Sequence, residues 1–250
     1  MLTEERYRLI LQRLQEKGVV KLQELVELLQ ASESTVRRDL IDLEGQRQLK
    51  RVHGGAALPG QKGLEPGMDE KTSKNIQQKN RIARLAAAEV REGECIYLDA
   101  GTTTLAMIPY LTADNITVVT NGLSHVESLV GNQIRSYLLG GMMKSHTKAV
   151  IGSIALQNMD NFRFDKCFLG TNGVDPKLGY TTPDPEEALI KRRAHELSAQ
   201  TYVLADSSKF GEVTFAKLFD LSEAVLITDA VPERMRTPIS KKTKIIEGSS

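Results

Sequence analysis

Long hydrophobic runs are missing from this chain of 250 residues. The longest, such as Val225-Leu226-Ile227 and Tyr202-Val203-Leu204-Ala205, are strand-sized, far short of the roughly 20 apolar residues that cross a bilayer as a helix. No membrane is implied. An apolar leader with a small-residue cleavage site is missing too, because Met1 runs straight into Thr3-Glu4-Glu5-Arg6, so the cytoplasm is the expected location. Cysteine is scarce: Cys95 and Cys167 both sit in apolar, strand-like runs, which predicts buried, reduced thiols rather than a disulfide framework. The four histidines, His53, His125, His146 and His195, are scattered, and with the two cysteines they show no metal-ligand spacing. Charge of one sign is not in excess either. Lysine and arginine total 33 against 32 acidic residues, a net of +1, so any surface for a polyanion must be local. No internal repeat or low-complexity tract is visible. What is present is 40% hydrophobic and 26% charged, a globular balance that excludes disorder and has the bulk of one large or two ordinary domains.

The apolar period divides the chain. Residues 1–58 read as helical with short breaks, and residues after about Glu94 repeat a strand–loop–helix rhythm. Between them, Pro59-Gly60-Gln61-Lys62-Gly63 and Pro66-Gly67 break any regular element. The predicted division is a domain over 1–58, a linker over 59–78 and a second domain over 79–250. A polar helix is expected from near Asp69 to Val90, with Ile82, Leu85, Ala86 and Val90 on its apolar face.

At the N-terminus, Thr3 is a plausible cap for a helix with Tyr7, Ile10, Leu11 and Leu14 on one face, broken at Gly18. A second helix turns Leu22, Leu25, Val26 and Leu29 inward. Ser32 caps a third, whose inner face carries Val36, Leu40 and Leu43. Three short amphipathic helices of these proportions match a helix-turn-helix. The outward N-terminal half of the third holds Glu33, Ser34, Thr35, Arg37 and Arg38, where arginine can pair with guanine and hydroxyls can meet bases or phosphates. Gln48 to Gly55 alternates and closes on glycines, which reads as a hairpin wing placing Lys50, Arg51 and His53 near phosphates. From Thr35 to Leu58, five basic residues face three acidic ones. On spacing alone, a tri-helical protein-contact module with solvated arginines fits the same pattern.

In the second part, fully apolar strands end repeatedly in small or polar residues: Cys95–Leu98 in Asp99-Ala100-Gly101-Thr102-Thr103-Thr104, Ile116–Val119 in Thr120-Asn121-Gly122, Tyr137–Leu139 in Gly140-Gly141, Cys167–Leu169 in Gly170-Thr171-Asn172-Gly173, and Tyr202–Ala205 in Asp206-Ser207-Ser208-Lys209. Strands of this kind alternating with helices, such as Glu186 to Ala199, predict a parallel sheet covered on both faces. Its ligands bind at the strands' carboxyl ends, so the five loops should meet at one rim. The Asp99–Thr104 loop can aim amides and three hydroxyls at an anion, with phosphate the natural guest and Lys209 a charge in reach. Ordinary helix caps and a solvated loop lysine would look the same.

The run Ser32-Glu33-Ser34-Thr35-Val36-Arg37-Arg38-Asp39-Leu40, followed by Lys50-Arg51-Val52-His53-Gly54-Gly55-Ala56, resembles the winged helix of the DeoR family of bacterial transcriptional repressors. One departure is Arg47, where family members commonly carry glycine. The likeness continues through the strand-end loops above, together with Thr181-Thr182-Pro183-Asp184, Glu187-Ala188 and Phe210-Gly211, and so spans almost the whole chain. It implies an α/β fold: a winged helix-turn-helix joined to a parallel-sheet domain similar to ribose-5-phosphate isomerase that senses phosphorylated sugars and mediates oligomerisation. It implies a recognition helix over Ser32–Glu44 with DNA contacts from Ser34, Thr35, Arg37 and Arg38; Ser32, Lys50, Arg51 and His53 complete the DNA-facing set. For the effector it implies phosphate contacts at Gly101, Thr102, Thr103 and Thr104, and sugar or phosphate contacts at Asp99, Asn121, Gly140, Asn172 and Lys209.

Met1–Arg6, Leu64-Glu65-Pro66, Cys95–Asp99 and Phe162–Lys166 are most similar to the fructose-operon repressors of Gram-positive bacteria. That resemblance implies fructose 1-phosphate, or a related sugar phosphate, as inducer, double-stranded operator DNA as partner, a dimeric or tetrameric homo-oligomer, and no cofactor. A sugar-phosphate isomerase is the alternative. Such enzymes carry Asp-Gly-Ala-Asp-Glu where this chain has Leu169-Gly170-Thr171-Asn172-Gly173. Without those aspartates and the glycine-rich lysine segment that follows them, only Glu187 and Lys209 are left as candidates for acid–base work, and binding without turnover is expected.

Overall fold

The computed structural model describes residues 2–17, 19–46, 48–52, 54–57 and 67–248, and the chain forms two compact units, 1–66 and 67–250. The first unit runs α1 (Thr3–Lys17), β1 (Val19–Lys21), α2 (Leu22–Leu29), α3 (Glu33–Gly45), β2 (Lys50–Val52) and β3 (Gly55–Ala57). Ile10 and Leu14, Leu25 and Leu29, and Val36, Leu40 and Leu43 bring the apolar stripes of the three helices into one core, closed by Val20, Leu49 and Ala56. Thr3 is the first helical residue rather than the cap. Ser32 does cap α3: its extended backbone lets Oγ accept from the Thr35 amide at 3.3 Å.

The predicted hairpin is present as β2 and β3, and β1 joins it in the order β1–β3–β2. That third strand is not readable from three residues between a helix break and the next helix. It explains Gly55, where a Cβ would lie 2.0 Å from the Val20 carbonyl oxygen; β1 passes too close for a side chain. Arg47 and His53 lie outside the described residues.

The second unit opens on α4 (Met68–Ser73) and α5 (Ile76–Ala88). The single helix expected over 69–90 is therefore two, parted at Asn75, which takes the left-handed conformation at φ 54°. Residues 68–78, read as linker from the sequence, belong to this unit, whereas residues 58–66 lie outside the described residues. There follow β4 (Cys95–Leu98), α6 (Thr102–Met107), β5 (Thr117–Thr120), α7 (His125–Gly131), β6 (Arg135–Leu138), a hairpin of β7 (Met142–Lys144) and β8 (Ala149–Ile151), α8 (Ser153–Met159), β9 (Phe164–Gly170), β10 (Gly173–Asp175), β11 (Gly179–Thr182), α9 (Pro185–Glu196), β12 (Ser198–Leu204), β13 (Ala216–Lys217), β14 (Val225–Thr228), α10 (Glu233–Ser240) and β15 (Ile245–Glu247).

Seven strands form the sheet β15–β14–β12–β9–β4–β5–β6, parallel at every pairing. Two cores cover its faces. Ile82, Ala83 and Ala86 of α5 pack with Met107 and Ile108 over one, and Ala155, Met159, Ala188, Ile190 and Ala194 of α8 and α9 over the other. β6 departs from the expected burial: as an edge strand all four of its residues are exposed. The hairpin β7–β8 and a small antiparallel sheet β10–β11–β13, neither expected from the sequence, stand beside the main sheet. Chain order reverses between β4 and β9, since β5 and β6 extend one way and β12, β14 and β15 the other. In open sheets of this kind the crevice that takes a ligand lies at such a switch point, outside the strands' carboxyl ends.

Candidate functional site

On the first unit, α3 presents Ser34, Arg37, Arg38 and Ile41 to solvent at helical spacings that put them on one face. Arg37 reaches back to Glu33 at 2.5 Å with both side chains 61% exposed, a pair weak enough to exchange for another acceptor. Arg38 is exposed and makes no ion pair among the described residues. Ile41, 51% exposed, was missed in the sequence; its signal is the step of seven residues from Ser34, and an apolar side chain there suits a thymine methyl. Ser32, Ser34 and Thr35 share hydroxyl contacts of 2.8 to 2.9 Å around the cap. Arg51 is held by Glu44, whose carboxylate accepts from its Nε at 2.6 Å and from its amide at 2.8 Å. This ties the wing to α3 and directs Arg51 toward the helix. Behind α3, Asp39 is buried and takes two hydrogen bonds from Arg6, at 2.6 and 2.9 Å, and Tyr7 donates to Asp42 at 2.9 Å. Asp39 therefore subtracts nothing from the positive character of the outer face.

On the second unit, the crevice is organised by Asp99, 1% exposed at the end of β4. Its Oδ1 accepts from the Gly101 amide at 2.9 Å and the Thr104 hydroxyl at 3.0 Å; its Oδ2 accepts from the Gly170 amide at 2.7 Å and from the ammonium of Lys191 on α9. Burial alone would raise the Asp99 pKa, but Lys191 and these donors outweigh it and hold the group below the ordinary carboxylate value. With both oxygens taken, Asp99 shapes the loop rather than facing a ligand. The Thr104 hydroxyl is likewise turned inward, to the Asp99 and Gly101 carbonyls at 2.8 Å each. Of the three hydroxyls in the run, Thr102 is the most open and Thr103 is 9% exposed.

Beneath the loop, His125 is fully buried with Nε2 3.2 Å from Thr104 Oγ1, while its Nδ1 has no partner among the described residues. Burial pushes its pKa down to about 4. Asn121 is also inside: it accepts from the Tyr97 hydroxyl at 2.8 Å and donates to the Val150 carbonyl at 3.0 Å. It supports the rim from below. Gly140 is exposed beyond the edge strand, and its amide donates to Asn158 at 3.1 Å. Asn172 is half-buried and accepts from Thr182 at 3.1 Å. Lys209 sits at the end of the turn Ser207–Lys209 after β12.

Three lysines, Lys191, Lys144 and Lys79, were not singled out in the sequence, whereas Glu187 was, as a candidate for acid–base work. Lys191 stands one helical turn from Glu187, and both are buried on the inner side of α9. Glu187 accepts from Lys144 at 2.8 Å and Thr147 at 2.7 Å, and Lys144 also reaches Asp184 at 2.6 Å. Lys79, 7% exposed in the first turn of α5, is the third. Among the described residues no group of three histidine, cysteine or acidic side chains could hold a metal ion, and no helix is long and apolar enough to cross a membrane.

Two family models match the chain: the DeoR-like helix-turn-helix domain over residues 6–62 and the DeoR C terminal sensor domain over residues 74–230. The chain is 50% identical to the HTH-type transcriptional regulator FruR of Bacillus subtilis, covering 98% of each. It is 36% identical to the lactose phosphotransferase system repressor of Streptococcus mutans, over 98% of this chain and 100% of that one. Among solved structures, ribose 5-phosphate isomerase A of Methanocaldococcus jannaschii aligns with 55% of each chain at 16% identity and a TM-score of 0.42, too loose a likeness to carry an inference.

Replacing Asp99 with Asn strands the Lys191 cation among buried groups, and should destabilise the sensor unit by about 3–5 kcal/mol. Adding Lys191→Met should recover part of that loss, as read from denaturant midpoints of the full chain; equal stability of wild type and Asp99→Asn would show that the pair holds nothing. His125 gives a separate acid dependence. Because its folded pKa of about 4 lies below the ordinary histidine value of 6.5, the unfolded chain takes up the proton first. Stability is full above about 6.5 and falls as pH drops toward 4, by up to about 3 kcal/mol. The carboxylates held low, Asp99 and Asp184, lose their contribution only at more acid pH. Melting temperatures between pH 7 and 4.5 should therefore fall in wild type and flatten in His125→Gln.

Proposed function

The chain belongs to the DeoR family of transcriptional regulators, and from that premise we propose that it represses a sugar-utilisation operon, the fructose operon first among candidates, and leaves its operator when a phosphorylated sugar such as fructose 1-phosphate binds the second unit. It is a DNA-binding repressor related to sugar-operon repressors, not an enzyme. The observation that carries the proposal is the coexistence, in one chain, of a capped helix with an exposed Ser34–Arg37–Arg38–Ile41 face and a polar rim at the switch point of a parallel sheet.

On the DNA side, Arg37 and Arg38 read base edges, Ser34 and Thr35 contact bases or phosphates, and Lys50 and His53 of the wing join the backbone contacts. Arg51 serves by fixing the wing to α3, and Ser32 by capping it. On the sensor side, the amides of the Gly101–Thr104 loop, the Thr102 and Thr103 hydroxyls and Lys209 hold the phosphate. Asn172 and Gly140 flank the sugar, and Asp99, Thr104 and Asn121 keep the loops in place. The repressor acts in the cytoplasm as a dimer or tetramer, because one reading helix covers one half-site and operators pair half-sites a helical turn or its multiples apart. The inducer works by binding the DNA-free state better than the DNA-bound state.

Fluorescence anisotropy with the DNA upstream of the chain's own operon tests both halves. Arg37→Ala should weaken operator binding by about 1–3 kcal/mol and relax base preference at one position; unchanged affinity would remove Arg37 from the reading face. Lys209→Ala should bind operator as wild type does, yet need far more fructose 1-phosphate for release. A normal response would put the phosphate elsewhere.

A further inference from the structure

We propose that Lys79 is a third arm of the phosphate site, and that on binding it leaves the Lys71 carbonyl for the ligand, so that occupancy is passed to α4. The proposal rests on the sugar-phosphate reading above and names residues which that reading does not include.

The placement of Lys79 follows from topology. α5 leads by a short connection into β4, and its apolar stripe of Ile82, Ala83, Ala86 and Ala87 packs on the sheet. Its first turn therefore lies at the strands' carboxyl ends, beside α6 and the loop that begins it. On the other side stands the loop after β12: Asn75, just before α5, donates to Asp206 Oδ1 at 3.2 Å. Lys79 thus lies between the two loops proposed to hold the phosphate, at the head of an otherwise apolar stripe.

A cation in that position is opposed three times over. Burial removes its water, the first turn of a helix disfavours positive charge, and Lys209, Lys71 and Lys74 add like charge. Only Asp206 opposes them, and the pKa of Lys79 falls to about 8. Asp206 is itself engaged by the Ser208 amide at 3.0 Å, the Ser208 hydroxyl and Asn75. A buried charge placed at such expense between two polar loops is a functional-site candidate, and a phosphate dianion is the chemistry that offsets these penalties.

What Lys79 holds in the described structure is α4. Its ammonium donates to the Lys71 carbonyl, near the end of a six-residue helix in which Met68 is buried and Thr72 and Ser73 are exposed. At the other end, the Met68 amide donates to the His146 carbonyl in the β7–β8 turn at 2.9 Å. A helix this short, with so little apolar cover, depends on its polar attachments. It is also the first described element after residues 58–66, which lead from the DNA-reading unit. Drawing Lys79 toward a phosphate frees the Lys71 carbonyl and loosens the segment through which any signal to the first unit must travel along the chain.

The test uses the full chain, titrated calorimetrically with fructose 1-phosphate and with inorganic phosphate, and a limited tryptic digest that reads cleavage after Lys71 and Lys74. Lys79→Gln removes the charge and keeps a donor for the Lys71 carbonyl, on a side chain one atom shorter. Its affinity for the sugar phosphate should fall about tenfold or more, as expected for one lost charge-assisted hydrogen bond, and Lys79→Arg should restore most of it. In wild type, saturating sugar phosphate should speed cleavage within α4 several-fold, whereas Lys79→Gln should stay protected at the same concentration. Wild-type binding with an unchanged affinity in Lys79→Gln, or α4 cleavage indifferent to ligand in wild type, overturns the inference and leaves the sugar-phosphate reading standing. Failure of wild type to bind either probe overturns both.

Discussion

The second unit turns on one buried carboxylate. Asp99 sits where the chain order of the sheet reverses, and its two oxygens gather four donors from three places: the loop after β4, the end of β9 and the inner side of α9. A lone buried anion would be prohibitive, and Lys191 makes it tolerable. The pair does more than neutralise itself. It clamps the Gly101 and Gly170 amides to one point, fixing the mouth of the crevice before any ligand arrives, and it spends the Thr104 hydroxyl on the fold. Through Thr104 the same network reaches His125, whose neutral ring fills the space under the loop. The close approach leaves room for nothing larger than glycine at 122, where a Cβ would fall 2.3 Å from the ring nitrogen.

The first unit solves a comparable problem at smaller scale. Three helices and a three-stranded sheet bury few side chains, so the orientation of α3 cannot be left to the apolar core alone. Arg6 and Tyr7 of α1 grip Asp39 and Asp42 on its flank, and Glu44 on its last turn holds the wing through Arg51. Asp39, Asp42 and Glu44 are thereby committed sideways and inward, which leaves the outward face to Arg37, Arg38 and the exposed Glu33 that pairs with Arg37. Simple charge counting along the segment understates how cationic that face is.

Elements with a strong period were legible in the sequence. The stripes of α1, α2 and α3, the apolar strands β4, β5, β9, β12 and β14 and the capping serine at 32 each declare themselves within a few residues. What escaped depends on partners far along the chain. β1 exists because β3 pairs with it, and α5 begins anew at Asn75 because that residue turns left-handed with no glycine or proline to announce it. Lys191 pairs with Asp99 across 92 residues and Asp39 with Arg6 across 33, distances at which no local pattern survives. The exposure of β6 reflects its place at the sheet's edge, which its own composition does not encode. The same limit applies to the site. The loop residues were legible as polar strand ends, but which of them point inward was not, and Asp99, Thr104 and Asn121 prove to be its frame.

That frame bears on why such a domain senses and does not catalyse. Aldose–ketose isomerisation needs a carboxylate with a free lone pair beside the substrate carbon. Along this rim the buried carboxylates are committed to neighbours: Asp99 to Lys191 and two amides, Glu187 to Lys144 and Thr147, Asp206 to Ser208 and Asn75. Asp99 in particular is held below the ordinary carboxylate value by Lys191 and its hydrogen-bond donors, the opposite of what a base requires. Lys79 lies near Lys209, and Asp206 is the one acidic group offsetting the like charge around it. Asp99, Glu187 and Asp206, engaged in this way, are not poised to take a proton from a substrate. Under the proposed sugar-phosphate reading, the energy of binding would go into moving the equilibrium between two states of the repressor.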